Sequence, residues 1–476
     1  MRVPADLRCS NVPCSVGRTR PSGARRDSDG AMNQIVHIGV GNFHRSHQAM
    51  YVHRLGDPDW TICGVGMLPG DASVRDGLTA QAGAYSLVLK HPDGSVEREV
   101  ITSIREMLLA PEDPWAVVAR LADADTRIVS LTITEGGYNV DAATGEFLAQ
   151  TPAVQADLHT GAAPTTVLGV VVRALQRRRA AKIPPFTVVS CDNIEGNGHV
   201  ARRAFTAFAT LVDPELGAWV SHAVRFPNCM VDRITPVTVE ADRILIRAKW
   251  GVEDRVPVTA EPFTQWVLED DFSNGRPALE EVGVQFVSDV RPYELMKLRL
   301  LNASHQAIAY YGMFLGHEFV HDAASDPLVV TLMTRYMDEE ATGSLQPVAG
   351  IDLATYKAAL VQRFANPWIA DTLRRLAAFG SDRIPKFLLP VIRHNLRTGG
   401  PTALSIAIVA SWLRWLEQAS DVVDNRWKGQ PPEDFLLDGH VFGDLTGHSG
   451  FQSLMRAELA RVRASGPRDA LADLLA

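Results

Sequence analysis

Within Glu294-Leu-Met-Lys297-Leu-Arg-Leu-Leu-Asn302-Ala-Ser-His305 lie a carboxylate, an amine, an amide and an imidazole. Wound as an α-helix at about 100° per residue, the stretch puts Leu301 about 40°, His305 about 80° and Asn302 about 140° from Lys297. One broad face then holds the amine, the imidazole and the amide. The remaining positions, Leu298, Leu300, Ala307, Ile308 and Ala309, are apolar, so the helix is expected to be largely buried. Buried polar groups must find partners or a ligand. A desolvated lysine loses its proton nearer neutral pH and can take one from a hydroxyl. An amide N–H can hold the alkoxide that forms, and an imidazole can orient the hydroxyl. These are the groups an alcohol oxidation by hydride transfer needs. Taken alone, the same residues also suit a lysine stretched toward the surface and a satisfied core histidine.

A hydride needs an acceptor, and a second stretch suits one. Ile35-Val36-His37-Ile38 is a short apolar run closed by Gly39-Val40-Gly41, and Phe43 to Leu55 then reads as a helix. Strand, tight glycine turn and helix together cradle a dinucleotide pyrophosphate. His44 stands where GxGxxG has its third glycine, so a plain strand-to-helix turn is also compatible. Asp71 follows a second strand candidate, Trp60 to Val65, in Gly66-Met-Leu-Pro-Gly-Asp71. An acid there can accept from ribose hydroxyls and favour NAD over NADP, or it can cap a helix. Its offset exceeds the usual figure of about 20 residues. His44 and His47 lie three apart without a third ligand nearby, so no metal site is expected.

The elements that must position these groups change character along the chain. Thr126 to Thr134 is a β-branched run ended by Gly136 and Gly137; Thr166 to Arg178 is amphipathic; Phe186 to Ser190 is a strand candidate closed by Cys191-Asp192-Asn193. Weaker strand signals occur at Val237–Val239 and Ile244–Ala248. Alternating strands and helices predict a doubly wound parallel sheet. After about Pro292 the reading turns helical, with helices over 297–314, 327–337, 353–364, 369–378, 388–395 and 403–417. The fold class expected is α/β, a Rossmann-type domain over 32–290 followed by a mostly helical domain over 291–476. Residues 1–31, with six arginines and no long apolar run, read as a disordered extension with Met32 as the functional start.

Composition narrows the class. The 47 basic and 55 acidic residues give a net charge of -8, without the basic stripe a nucleic-acid binder needs. No run of about 18 uncharged apolar residues marks a membrane span. Five cysteines, an odd number without a CxxC pair, argue against a disulfide framework or structural zinc and for a reducing cytoplasm.

Several motifs in order carry a resemblance. Gly39-x-Gly-Asn-Phe-His-Arg45, Thr134-Glu-Gly-Gly-Tyr138, Ser190-Cys-Asp-Asn-Ile194 with Gly196-Asn-Gly198, Val231-Asp-Arg-Ile-Thr-Pro236 and Lys297-Leu-Arg-Leu-Leu-Asn-x-Ser-His305 resemble the polyol-specific long-chain dehydrogenases, the mannitol dehydrogenase family. That family also holds fructuronate and tagaturonate reductases. The resemblance implies an extended Rossmann domain, a helical domain and an active site between them. It implies Lys297 as catalytic base, Asn193 and Asn302 as oxyanion donors, His305 as the group orienting substrate, and Glu294 in proton passage. Gly39, Gly41, Asn42, Phe43 and Arg45 would hold NAD, with Asp71 setting the preference. Asp232 and Arg375 match substrate residues. One departure is Gly380-Ser-Asp-Arg383-Ile-Pro385, where arginine replaces the family's lysine, and the two are not interchangeable. The implied activity is zinc-independent, NAD-dependent interconversion of D-mannitol and D-fructose by a monomer or small homo-oligomer. Alternatives are a D-mannonate-forming fructuronate reductase, or oxidation of arabinitol or sorbitol.

Overall fold

Short runs of β-branched and apolar residues form the strands of a computed structural model that describes residues 33–141, 144–159 and 161–476. The extension expected over 1–31, Met32, Cys9 and Cys14 lie outside the described residues. The strands are β1 (Asn33–Ile38), β2 (Trp60–Gly66), β3 (Tyr85–Lys90), β4 (Val96–Ile101), β5 (Ile104–Leu109), β6 (Thr126–Leu131), β7 (Thr187–Ser190), β8 (Cys229–Asp232), β9 (Val258–Ala260), β10 (Gln265–Glu269) and β11 (Gln285–Val287). Five of them form a parallel sheet in the order β5-β2-β1-β6-β7. Alternate residues of its strands face opposite ways. Val36, Ile38, Cys63 and Val65 pack on the helices Pro114–Ala122, Val167–Ala180 and Asn197–Val212. Ile35, Ile62, Ile128 and Val189 bury the other face with Met50, Val52 and Trp266. Burial on both faces is why these strands read as apolar runs. The chain leaves β1 for β2 on one side and returns to β6 on the other. A doubly wound sheet binds its ligand at that reversal, beyond the carboxyl ends of the strands.

Two three-stranded sheets flank it, β4-β3-β9 and β11-β10-β8. β8, antiparallel to β10, ends on Val231 and Asp232. Beyond β11 the described residues are helical or irregular, around a core that includes Tyr310, Tyr311, Tyr336, Leu360 and Trp412.

Four local expectations differ from the structure. The strand signal at Ile244–Ala248 falls in a helix, Glu240–Trp250. Asp242 Oδ2 accepts the Val239 N–H (3.0 Å) at its start, basic Arg247 and Lys249 close it, and Ile244 is exposed. Val237–Val239 is irregular. The helix expected from Phe43 to Leu55 is two, Asn42–Ser46 and Gln48–Leu55, broken where His47 turns (φ -121°, ψ -88°) to donate to the Gln265 carbonyl (2.9 Å). The helix expected over 369–378 is shorter, Leu373–Ala377.

Candidate active site

The helix that begins with Arg291-Pro292 changes its winding at Lys297. Arg291–Met296 is α-helical, Lys297–Asn302 is a π turn, and Ala303–Phe314 is α-helical again. A π turn closes from residue i to i+5, so Asn302 comes nearer to Lys297 around the axis than in a regular helix. The broad face expected of a regular helix is thereby gathered into a tight one. Lys297, Leu301, Asn302 and His305 all line one cavity of about 1060 Å³.

Lys297 does not reach for the surface; it is 9% exposed. Its Nζ donates to Asn193 Oδ1 (2.9 Å) and to the Val231 carbonyl (2.6 Å). Burial lowers its pKa, and the Asp232 carboxylate pulls the other way. Asn193 follows β7 in a turn pinned by Asp192. That carboxylate accepts from the backbone of Ile133 (3.1 Å) and Thr134 (2.8 Å) and from the Tyr138 hydroxyl (2.7 Å), tying the turns after β6 and β7 together. Thr134 holds a left-handed φ of +61° there. With Asn193 Oδ1 facing the amine, its Nδ2 is left to donate elsewhere. Asn302 Nδ2 is buried with no protein partner. His305 packs on Phe364 (ring centroids 4.5 Å apart), and burial pulls its pKa down to about 3, so it is neutral at working pH.

Behind Lys297 a second, smaller cavity of about 20 Å³ is lined by Asn193, Glu294 and Lys297. Glu294 Oε1 accepts the Gly196 N–H (3.1 Å), and burial pushes its pKa up to about 8.

The glycine turn forms the opposite end of the large cavity. Gly39 has φ +98°, and a Cβ there would run into the Thr132 carbonyl. At Gly41 a Cβ would meet nothing within 4 Å, which leaves the backbone open to a close ligand. Gly39, Gly41, Asn42, Phe43 and His44 line the cavity. His44, where a third glycine was looked for, is buried and stacked on His37 (3.3 Å). A dinucleotide fits this end, because the turn lies at the sheet's reversal and presents bare backbone. Arg45 and Asp71 lie off the cavity wall. The Arg45 guanidinium points inward, donating to Gly41 O (3.3 Å), Asn42 Oδ1 (2.7 Å) and Val256 O. It braces the loop from behind. Asp71 follows β2, and its Oδ2 accepts the Leu68 N–H (2.9 Å). No three His, Cys, Asp or Glu side chains among the described residues are grouped to hold a metal ion.

The far wall is basic, but its charges are engaged. Arg375 is held by Asp371, with Nε to Oδ1 at 2.6 Å and a second bond from Nη2 to Oδ2. Arg383 donates to the carbonyls of Leu376 (2.6 Å) and Arg375 (3.3 Å). Lys386, three residues on, lines the same wall and reaches Glu135 across the cleft (3.5 Å); both side chains are exposed, at the rim. Both oxygens of Asp232 accept from Arg363 (2.9 and 3.0 Å). Lys386, Arg363 and Glu261 join the residues expected from the sequence. A second basic residue after Arg383 was visible; the pairing of Arg363 with residues more than a hundred positions away was not.

The Rossmann-domain model of mannitol dehydrogenase matches residues 33–281, and the C-terminal-domain model matches residues 289–448. Mannitol 2-dehydrogenase of Cereibacter sphaeroides is 41% identical over 477 residues, covering 96% of this chain and 99% of its own. The Aspergillus fumigatus enzyme of that name is 41% identical over 434 residues, 86% of each chain. Among solved structures, Pseudomonas fluorescens mannitol 2-dehydrogenase, a ternary complex with NAD and D-mannitol, is similar with a TM-score of 0.86 and 43% identity, over 93% of this chain and 94% of that one. A D-sorbitol dehydrogenase in substrate-free form follows at 0.81 and 35% identity, over 93% and 96%.

Proposed function

The chain belongs to the mannitol dehydrogenase family, and on that premise we propose that it oxidises D-mannitol to D-fructose with NAD, Lys297 taking the hydroxyl proton. The observation that carries the reading is the pair of acceptors on Lys297 Nζ. A neutral amine has two N–H groups and one lone pair. The N–H groups are spent on Asn193 Oδ1 and Val231 O, so the lone pair is left for the cavity that Lys297 lines. The hydroxyl proton goes to that lone pair as hydride leaves the carbinol carbon, and a ketone forms. Bound NAD supplies the acceptor of that hydride. Gly39, Gly41, Asn42 and Phe43 would hold it, with Arg45 behind the loop and Asp71 toward the ribose. Asn193 Nδ2 and Asn302 Nδ2 would donate to the oxygen as it gains charge. Neutral His305 would orient the hydroxyl. The proton would then pass from Lys297 toward Glu294 through the small cavity, which has room for one water.

The far wall supports a neutral polyol over a sugar acid. Arg375 is already neutralised by Asp371, and Arg383 is spent on backbone carbonyls. Asp232, Arg375 and Arg383 would serve as hydrogen-bonding groups for the distal hydroxyls. In this reading residues 32–290 bring cofactor and oxyanion donor, and residues 291–476 bring base and substrate wall. All these groups come from one chain, which supports a monomer or small homo-oligomer. The buried free thiols Cys63, Cys191 and Cys229 support a cytoplasmic setting. The test is a rate panel of D-mannitol, D-arabinitol, D-sorbitol and D-mannonate with NAD and with NADP. D-mannitol with NAD should give the highest kcat/KM. Turnover of D-mannonate alone would overturn the proposal.

A further inference from the structure

One buried side chain outside the reacting set joins both halves of the site. Arg363 ends the helix Leu353–Phe364 in the helical half. Its guanidinium holds two carboxylates of the Rossmann half at once. It donates to Asp232 Oδ2 and Oδ1 (2.9 and 3.0 Å) and to Glu261 Oε2 and Oε1 (2.9 and 2.7 Å). The side chains of the three are 7%, 4% and 3% exposed. Phe263 covers the flat face of the guanidinium, 3.9 Å from ring centroid to Cζ. Glu261 Oε1 also accepts the Ile234 N–H (2.6 Å), so the clamp grips the chain at Asp232 and Ile234, on both sides of Arg233.

A buried triad of charges is a weak source of stability, because desolvation offsets much of the attraction. Its position suggests a different use. Asp232 directly follows Val231, whose carbonyl holds Lys297 Nζ. We propose that Arg363 is a positioning residue of the reaction: it fixes the end of β8 that aims Lys297, and it neutralises the Asp232 carboxylate beside that lysine.

The charged and titratable groups around Lys297 come from every neighbouring element. Asp232 and Cys229 lie on β8, Glu294 one turn back on its own helix, Arg363 on the facing helix and His47 behind the glycine turn. His305 and Tyr356 complete the shell around the triad. Arg233, whose guanidinium donates to the Glu261 backbone carbonyl (3.0 and 2.8 Å), is a second buried cation beside Glu261, but Arg363 is the one bonded to both carboxylates. Burial and Arg363 both favour the neutral amine; Asp232, Cys229 and Glu294 favour the ammonium. Removing the guanidinium leaves Asp232 unpaired beside Lys297, and nearby opposite charge raises a lysine pKa by about one unit or more.

This inference rests on Lys297 being the base, and the experiment separates the two. The pH profile of kcat/KM for D-mannitol oxidation is measured for the parent, Arg363→Gln and Arg363→Lys, with circular dichroism and NADH binding checking the fold. Arg363→Gln should move the acid limb upward by about one pH unit or more. Arg363→Lys keeps the charge but not the two-sided fork, so its limb should stay in place while kcat falls about tenfold. A folded Arg363→Gln protein with the parent's limb overturns the inference and leaves the lysine base standing. A flat profile in the parent removes the base and the inference together. If Arg363→Gln does not fold, Arg363→Lys decides alone: parental kcat, or a limb displaced upward, overturns the inference.

Discussion

A lysine can take a proton only while neutral, and the surroundings of Lys297 shift it in that direction. Burial lowers its pKa, and two carbonyl oxygens occupy its N–H groups. Oxidation should therefore rise with pH through the lowered lysine pKa to a plateau, while ketose reduction, which needs the ammonium, falls over the same interval. Steady-state rates in both directions from pH 6 to 10 check this, and a flat oxidation profile would count against the base. Lys297→Ala should cost about 10²- to 10⁴-fold in kcat/KM with NADH binding retained. At this scale much of the proposed site was legible in the sequence. Lys297, Asn302 and His305 share one stretch, so helical spacing already puts them on one broad face, which the π turn then tightens. Asn193 was placed by resemblance, since no local pattern says which turn a buried lysine will meet. Arg363 was invisible for the same reason: on the helix Leu353–Phe364 it reads as one more solvated arginine, and its carboxylate partners are set by tertiary structure.

Elements decide how close those residues come. The π turn over Lys297–Asn302 cannot be read from composition, because Leu298 to Leu301 suits a regular helix equally well. The Glu240–Trp250 helix was misread because Ile244-Leu-Ile looks like a strand, while the Asp242 cap that decides the matter is a single side chain. The parallel sheet, by contrast, was legible, since strands buried on both faces have to be apolar. The glycine turn yields a paired prediction. Gly39→Ala forces a φ of +98° on a residue with a Cβ and drives that atom into the Thr132 carbonyl. Strain of this kind costs about 1–3 kcal/mol, so apo stability and NAD affinity should both fall. Gly41→Ala adds a methyl to open space, so the apo Tm should hold while NAD affinity drops at least about tenfold, through lost backbone approach. Thermal melts and NADH fluorescence titration of both variants check the contrast. Equal loss of Tm in the two would refute it.

For the whole molecule, several buried histidines are neutral in the fold. Burial takes His37, His47 and His305 down to about 3. A depressed pKa means the unfolded chain binds protons first, so stability is complete above the unfolded histidine pKa near 6.5 and declines as pH falls toward 3. Each such histidine is worth about 1.4 kcal/mol per pH unit in that window. Glu294 works the other way, since its raised pKa of about 8 adds stability in acid that is lost as pH rises through 8. Urea unfolding at pH 6 and pH 5 should show the more acid sample to be less stable, and a rise would contradict the neutral histidines. The same molecule is fastened unequally across its cleft. At the floor, Arg363 joins the halves by four buried charge-assisted bonds; at the rim, Lys386 and Glu135 meet in the open. Exposed pairs are worth at most about 1 kcal/mol and are screened by salt, buried ones far less so. The cleft is therefore bound at its floor by contacts that dissolved electrolyte hardly touches and at its rim by one contact that it weakens.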